Sequence, residues 1–221
     1  MNTLTTAPVA PLLDRLFAEA EPASPMDSPL AAALSVEQHR RLMQSKTDYV
    51  DFYGHLKDFP LAVSRETGLL LYMLARSGKA RTIVEFGTSF GVSTLYLASA
   101  LRDNGGGVLI TTEFEPSKVC RARDNLTTGG LIDLVEIREG VALRTLSVDL
   151  PASINLLLLD GAKALYPEIL TLVESRLQPG ALIVADNADY SPDYLARVRS
   201  PGSGYVSTPF AEDVELSMRI D

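Results

Sequence analysis

The chain has 221 residues, 46% of them hydrophobic and 22% charged. That balance excludes general disorder, and the length allows one domain or two small ones at ~100–200 residues each. Lys+Arg total 20 against 28 for Asp+Glu, a net charge of -8, which argues against a protein built to grip a phosphate backbone. A single cysteine, Cys120, allows no intramolecular disulfide. With only His39 and His55 beside it, a zinc site of the usual His/Cys kind is nearly excluded. No apolar run approaches ~18 residues and no basic segment leads into one at the N-terminus, so the expected location is the cytoplasm.

Residues 1–34 are rich in Ala and Pro. Within them, residues 11–20 place Leu12, Leu13, Leu16 and Phe17 on one helical face, and Pro22, Pro25 and Pro29 break the pattern. The polar stretch 36–57 reads as helical. Ser64 is placed to cap a helix over 65–76 that carries Leu69, Leu70, Met73 and Leu74, and Ser77-Gly78-Lys79 ends it. From Arg81 onward strands and helices alternate. Residues 82–86, 108–112, 134–137, 154–159 and 181–185 read as strands. Between them, residues 91–101, the run from Pro116 to Gly129-Gly130, and the spacing of Leu165, Ile169, Leu172, Val173 and Leu177 read as helices. Strands apolar on both faces, alternating with helices, predict a parallel sheet covered by helices. Residues 205–207 and 214–220 add two strands joined too tightly for a parallel crossover, hence antiparallel. Cys120, on the helix after the second strand, is expected to be a packed small residue. His39, within Glu37-Gln38-His39-Arg40-Arg41, is expected on a solvated face.

In open parallel sheets ligands bind beyond the carboxyl ends of the strands. Those ends here carry Glu85-Phe86-Gly87-Thr88-Ser89-Phe90-Gly91-Val92-Ser93-Thr94, Glu113, Asp160 and Asp186-Asn187. A dinucleotide fingerprint starting at Gly87 needs glycines where Ser89 and Val92 stand, and a P-loop needs a lysine that Gly91-Val92-Ser93 lacks. The expected ligand is therefore not a pyrophosphate. Glu85 suits a ligand bearing an ammonium group, and Glu113 can accept hydrogen bonds from both hydroxyls of a ribose. The bland alternative is that Gly87 and Gly91 only shape a turn and Glu113 only caps a strand.

Residues 84–94 resemble the S-adenosylmethionine loop of the cation-dependent O-methyltransferases, the family that includes catechol O-methyltransferase. The resemblance runs from about Phe59 to the C-terminus. It is carried further by Leu109-Ile110-Thr111-Thr112-Glu113-Phe114-Glu115-Pro116, and by Leu159-Asp160-Gly161-Ala162-Lys163 with Ala185-Asp186-Asn187. It implies a Rossmann-like class I methyltransferase fold of the α/β class. Its seven-stranded sheet would be mostly parallel, with an antiparallel C-terminal pair and helices on both faces. It implies S-adenosylmethionine as cofactor, contacted by Val63, Glu85, Gly87, Ser89, Ser93, Glu113, Gly140, Ala142 and Asp160. Gly140-Val141-Ala142 resembles the segment against the adenine, and Ala62-Val63-Ser64 the entry loop at the methionine carboxylate. It also implies Mg²⁺ or another divalent cation on Asp160, Asp186 and Asn187, with Lys163 as general base, and a homodimer. Residues 59–221 would form the methyltransferase domain and residues 1–58 an N-terminal helical arm or lid. Phe17, Tyr49, Phe52 and Tyr53 would serve as lid aromatics or as core packing.

These residue types suit the chemistry independently. Oxygen ligands from neighbouring strand ends suit a hard dication, which acidifies a bound hydroxyl. A lysine base near neutral pH requires a depressed pKa. The acceptor implied is a small vicinal-dihydroxy aromatic, not a nucleic acid or a membrane. Where relatives carry apolar residues and a tryptophan after the Asp-Asn pair, this chain has Ala188-Asp189-Tyr190, so its acceptor pocket is its own. Glu212 or Asp213 is a candidate to orient the second acceptor oxygen. Three rivals are weaker. A transfer-RNA methyltransferase is opposed by the negative charge, a non-catalytic cofactor-binding module by the filled metal and base positions, and an NAD-dependent oxidoreductase by Ser89 and Val92.

Overall fold

The computed structural model describes residues 2–25, 28–210 and 213–221. Seven strands form one sheet: β1 (Thr82–Phe86), β2 (Val108–Glu113), β3 (Val135–Glu139), β4 (Ile154–Leu159), β5 (Leu177–Ala185), β6 (Tyr205–Phe210) and β7 (Val214–Arg219). Their order is β3-β2-β1-β4-β5-β7-β6. β1 pairs in parallel with β2 and β4, β2 with β3, and β4 with β5, while β7 runs antiparallel to both β5 and β6.

Alternate residues of each central strand enter opposite cores, as the pleat requires. Ile83, Leu109, Leu156, Leu158 and Val184 pack on one face with α1 (Val9–Ala20), α5 (Arg65–Ser77) and α6 (Val92–Asp103). Val84, Ile110, Leu157, Leu159 and Ile183 pack on the other with α9 (Tyr166–Val173) and α10 (Pro192–Arg199). Both faces are covered, which is why 154–159 reads as a continuous apolar run. The chain winds outward from β1 toward β3 and then returns to β4. The carboxyl ends of β1 and β4 therefore flank the point where strand order reverses, the usual ligand crevice of such sheets.

The N-terminal region departs from the reading in two places. Pro29 opens a short helix, α2 (Pro29–Ala33), because Ser28 Oγ accepts the Ala31 N–H at 3.1 Å and a proline at the first turn wastes no donor. Residues 36–57 form two helices, α3 (Val36–Met43) and α4 (Tyr49–Gly54). Ser45 interrupts them: its Oγ accepts the Asp48 N–H at 3.0 Å and donates to Asp48 Oδ2 at 2.9 Å, a local turn that competes with the helix. Leu4, Val9, Leu12, Leu13 and Leu16 belong to the main core. Cys120 is exposed rather than packed, because α7 (Pro116–Thr128) turns Lys118, Val119, Ala122, Asn125 and Leu126 inward instead. The helix α10 falls in a stretch to which the sequence reading assigned no element. Among the described residues, no helix is long and apolar enough to cross a membrane.

Candidate active site

Parallel pairing continues one residue beyond β4 and β5. Asp160 N–H donates to Phe86 O at 2.8 Å and Asp186 N–H to Leu159 O at 2.9 Å. The two aspartates therefore stand side by side. Burial pushes the Asp186 carboxyl up to about 7, the adjacent Asp160 charge adds to this, and Lys163 opposes it. Lys163 Nζ lies 2.8 Å from Asp160 Oδ1, with the two side chains 5% and 13% exposed. Burial pulls the Lys163 ammonium down, but Asp160, Tyr166, Asp186 and Tyr53 outweigh it and hold the group well above its ordinary range. The depressed pKa that a resting lysine base requires is thus not what the fold provides. Asn187 adopts φ 47°, and its Nδ2 donates to Asp213 Oδ2 at 2.7 Å. Asp213 thereby orients Asn187 and leaves the amide oxygen available, while Glu212 lies outside the described residues.

Asp160, Lys163, Asp186 and Asn187 line a cavity of about 900 Å³. Its other wall comes from the N-terminal helices. His39, expected on a solvated face, instead sets its ring edge-on to Phe52 (5.7 Å between centroids) and Tyr190 (6.4 Å), and all three line the cavity. Phe17, Tyr53, Val63 and Arg65 line it as well. A second, narrower cavity is lined by Gly87, Ser89, Thr112, Glu113, Lys118, Gly140, Ala142 and Asp160, with Tyr49 over it. Tyr53, Leu61 and Asp160 line both, so the two cavities meet at Asp160.

The glycine loop closes tightly on β4. Gly87 has φ +102°, and a Cβ there would lie 2.5 Å from the Asp160 carbonyl oxygen. Ser89, at φ 47°, donates its N–H to Glu113 Oε2 at 2.9 Å, and Glu115 N–H donates to Oε1 at 3.0 Å. Burial raises Glu113 while these backbone donors and Lys118 resist. Gly140 N–H donates to Glu113 O at 2.8 Å, which brings the 140–142 segment to the same cavity.

Of the residues singled out from sequence, Gly87, Ser89, Glu113, Gly140, Ala142 and Asp160 gather in the narrow cavity. Val63 and Lys163 face the wide one, together with the metal candidates Asp160, Asp186 and Asn187. Glu85 lines neither. It is fully buried behind the loop, accepts from Ser93 Oγ at 2.6 Å and Thr94 Oγ1 at 2.7 Å, and burial pushes its carboxyl up to about 7. Ser93 reaches only a shallow recess beside Leu61 and Ser89. Sequence reasoning missed Lys118, which the inward spacing 118, 119, 122, 125, 126 could have revealed, and His39 and Tyr190, which only tertiary packing brings in.

The residues fit the groups the resemblance implies. The narrow cavity offers the Glu113 carboxylate, the Lys118 ammonium and Thr112 Oγ1, a buried hydroxyl with no partner among the described residues, to a nucleoside. The wide cavity offers two mutually repelling carboxylates and an amide oxygen, a hard donor set that a dication would relieve. Among the described residues no group of three or more His, Cys, Asp or Glu is assembled, so Asn187 would be the third protein ligand.

Residues 84–188 match a family model described as a methyltransferase domain. A catechol O-methyltransferase of Niastella koreensis is 36% identical over 130 residues, covering 58% of this chain and 58% of that protein. A catechol O-methyltransferase of Mycobacterium tuberculosis is 34% identical over 127 residues, covering 58% and 57%. The matched part thus spans less than two thirds of these relatives. Among solved structures, the O-methyltransferase TomG from Streptomyces achromogenes, in complex with SAM, is 26% identical with a TM-score of 0.63 over 92% of this chain and 99% of its own. A cofactor-bound protein from MTB is 23% identical with a TM-score of 0.70 over 98% and 93%. The fold is that of the class I methyltransferases.

Proposed function

We propose that this chain, catechol O-methyltransferase-like in sequence and class I methyltransferase in fold, methylates a hydroxyl of a small vicinal-dihydroxy aromatic with S-adenosylmethionine. The observation that carries this reading is the adjacent Asp160–Asp186 pair, in which Asp160 lines both cavities and Asp186 the wide one. The narrow cavity is lined for a nucleoside and the wide one for an acceptor, so the reacting atoms would meet at the acids.

Asp160, Asp186 and the Asn187 oxygen would hold a divalent cation, which when bound offsets the two carboxylates and acidifies an acceptor hydroxyl. The chain's own residues do the rest. Glu113 takes the ribose hydroxyls, and the left-handed Ser89 turn keeps its carboxylate aimed at the cavity. Phe52 and Tyr190, with His39 between them, give the wide cavity an aromatic wall for a planar acceptor. Lys163 is an ammonium while both acids press their charge on it. To act as base it would first give one N–H proton to solvent water, and the resulting amine would then take up the acceptor's hydroxyl proton. Enclosing both reactants between the loop and the N-terminal helices supplies proximity and excludes water.

Calorimetric titration with S-adenosylhomocysteine, followed by turnover of labelled S-adenosylmethionine on a catechol panel with EDTA or Mg²⁺, tests the reading. The expected result is binding, and methylation that EDTA abolishes and Mg²⁺ restores. Absence of binding overturns the cofactor assignment. Full turnover in excess EDTA overturns the cation.

A further inference from the structure

Lys118 is 3% exposed, yet its ammonium borders the narrow cavity. An ammonium carries three N–H donors, and burying one without partners is costly. Its hydrogen bond within the protein is a long one, 3.3 Å to Ser89 Oγ, and its Nζ stands 5.6 Å from the Phe90 ring centroid. Among the described residues it forms no ion pair. Ser89 Oγ already accepts the Leu61 N–H at 3.2 Å, so its own proton must point elsewhere. The Ser89 amide meanwhile holds Glu113 Oε2. A carboxylate and an ammonium thus flank one serine at the edge of one cavity.

A carboxylate beside the lysine would repel a phosphate. The pair suits a vicinal diol, in which each hydroxyl both donates and accepts. We propose that Lys118 is a ribose-recognition residue, its ammonium donating to a hydroxyl oxygen of the diol whose proton goes to Glu113. The proposal rests on the reading that this cavity takes the adenosyl group. Burial lowers the Lys118 pKa, and Glu113, Glu115, Asp160 and Asp58 oppose the shift.

The test compares calorimetric dissociation constants of wild type, K118M and K118Q for S-adenosylhomocysteine and for its 2′,3′-dideoxyadenosyl analogue. K118M should bind S-adenosylhomocysteine roughly 10- to 100-fold more weakly, the range for a hydrogen bond to a charged group, with K118Q between. All three proteins should bind the dideoxy analogue equally. An equal loss for both ligands means that Lys118 only steadies the loop and overturns the proposal, as does no loss for either, or a loss for S-adenosylhomocysteine that disappears in an E113Q background, where Lys118 would act only through Glu113. If K118M does not fold, K118Q, which keeps two donors and a similar length, makes the same comparison. Failure of wild type to bind either ligand overturns the cofactor reading, whereas the other outcomes bear on Lys118 alone.

Discussion

Lys163 Nζ and Asp160 Oδ1 form a largely buried ion pair, 2.8 Å apart and three residues apart in the chain. The pair sits on the short turn between β4 and α9, so the same segment that presents Asp160 to the cavity also neutralises it. Lys163→Ala leaves a buried carboxylate without its partner beside a second one. The expected cost to stability is about 3–5 kcal/mol. Where the variant folds, kcat should fall roughly 10²- to 10⁴-fold, the usual worth of a positioned base. The loss should shrink for acceptors that ionise easily, such as nitrocatechols. Measuring kcat for both proteins across catechols of graded acidity decides the matter. A uniform loss would mean that Lys163 acts through its charge and does not take the proton.

Asp186 gives a prediction with a sign. Its carboxyl is raised from 3.8 to about 7 in the folded chain by burial and by Asp160. A raised acid costs nothing below its unfolded pKa, and its full penalty is present above its folded one. Stability should therefore decline between about pH 4 and pH 7. Asp186→Asn removes that decline. Its unfolding free energy relative to wild type should rise by roughly 2–4 kcal/mol between pH 4 and pH 8, from a shift of about three units at ~1.4 kcal/mol each. Wild-type Mn²⁺ affinity should rise over the same window as the carboxyl ionises, and Asp186→Asn should bind weakly throughout. Urea melts and Mn²⁺ titrations at the two pH values check both. Parallel pH profiles for the two proteins would remove Asp186 as the titrating group.

The sheet and its ligand-binding rim were legible because their determinants are local. Strands such as 154–159 are apolar on both faces, and the acids fall at the strand ends where the chain must turn. The fate of the polar N-terminal stretch was not. Whether 36–57 continues as one helix depends on Ser45 and Asp48 bonding to one another, and His39 faces a cavity only because Tyr190, 151 positions away, closes on it. Charged residues mislead for the same reason. Lys118 went unassigned because only its helix phase shows that it turns inward, and Lys163 drew its assignment from the resemblance rather than from its surroundings. The charge state of Lys163 follows from distances to Asp160 and Asp186 that no linear pattern encodes.

Gly87 separates two costs that glycine loops usually combine. Gly87 and Gly91 both hold positive φ, +102° and +84°. At Gly91 an added Cβ meets only Ala122, with Cβ at 3.5 Å, an ordinary contact, so Gly91→Ala adds conformational strain of roughly 1–2 kcal/mol and little else. At Gly87 the same Cβ would stand 2.5 Å from the Asp160 carbonyl oxygen and 2.7 Å from the Gly161 nitrogen. Neither atom can retreat freely, because Asp160 N–H is bonded to Phe86 O where β1 and β4 part. Gly87→Ala must therefore move the loop or the turn that carries Asp160. The expected destabilisation is roughly 3–5 kcal/mol, at the upper end for single substitutions. Because both cavities share Asp160, S-adenosylhomocysteine and Mn²⁺ should both bind more weakly to Gly87→Ala, and neither should change much in Gly91→Ala. Denaturant melts and the two titrations on the pair of variants measure this. Equal stability losses with unchanged binding would show that the close approach of the loop to Asp160 carries no energetic weight.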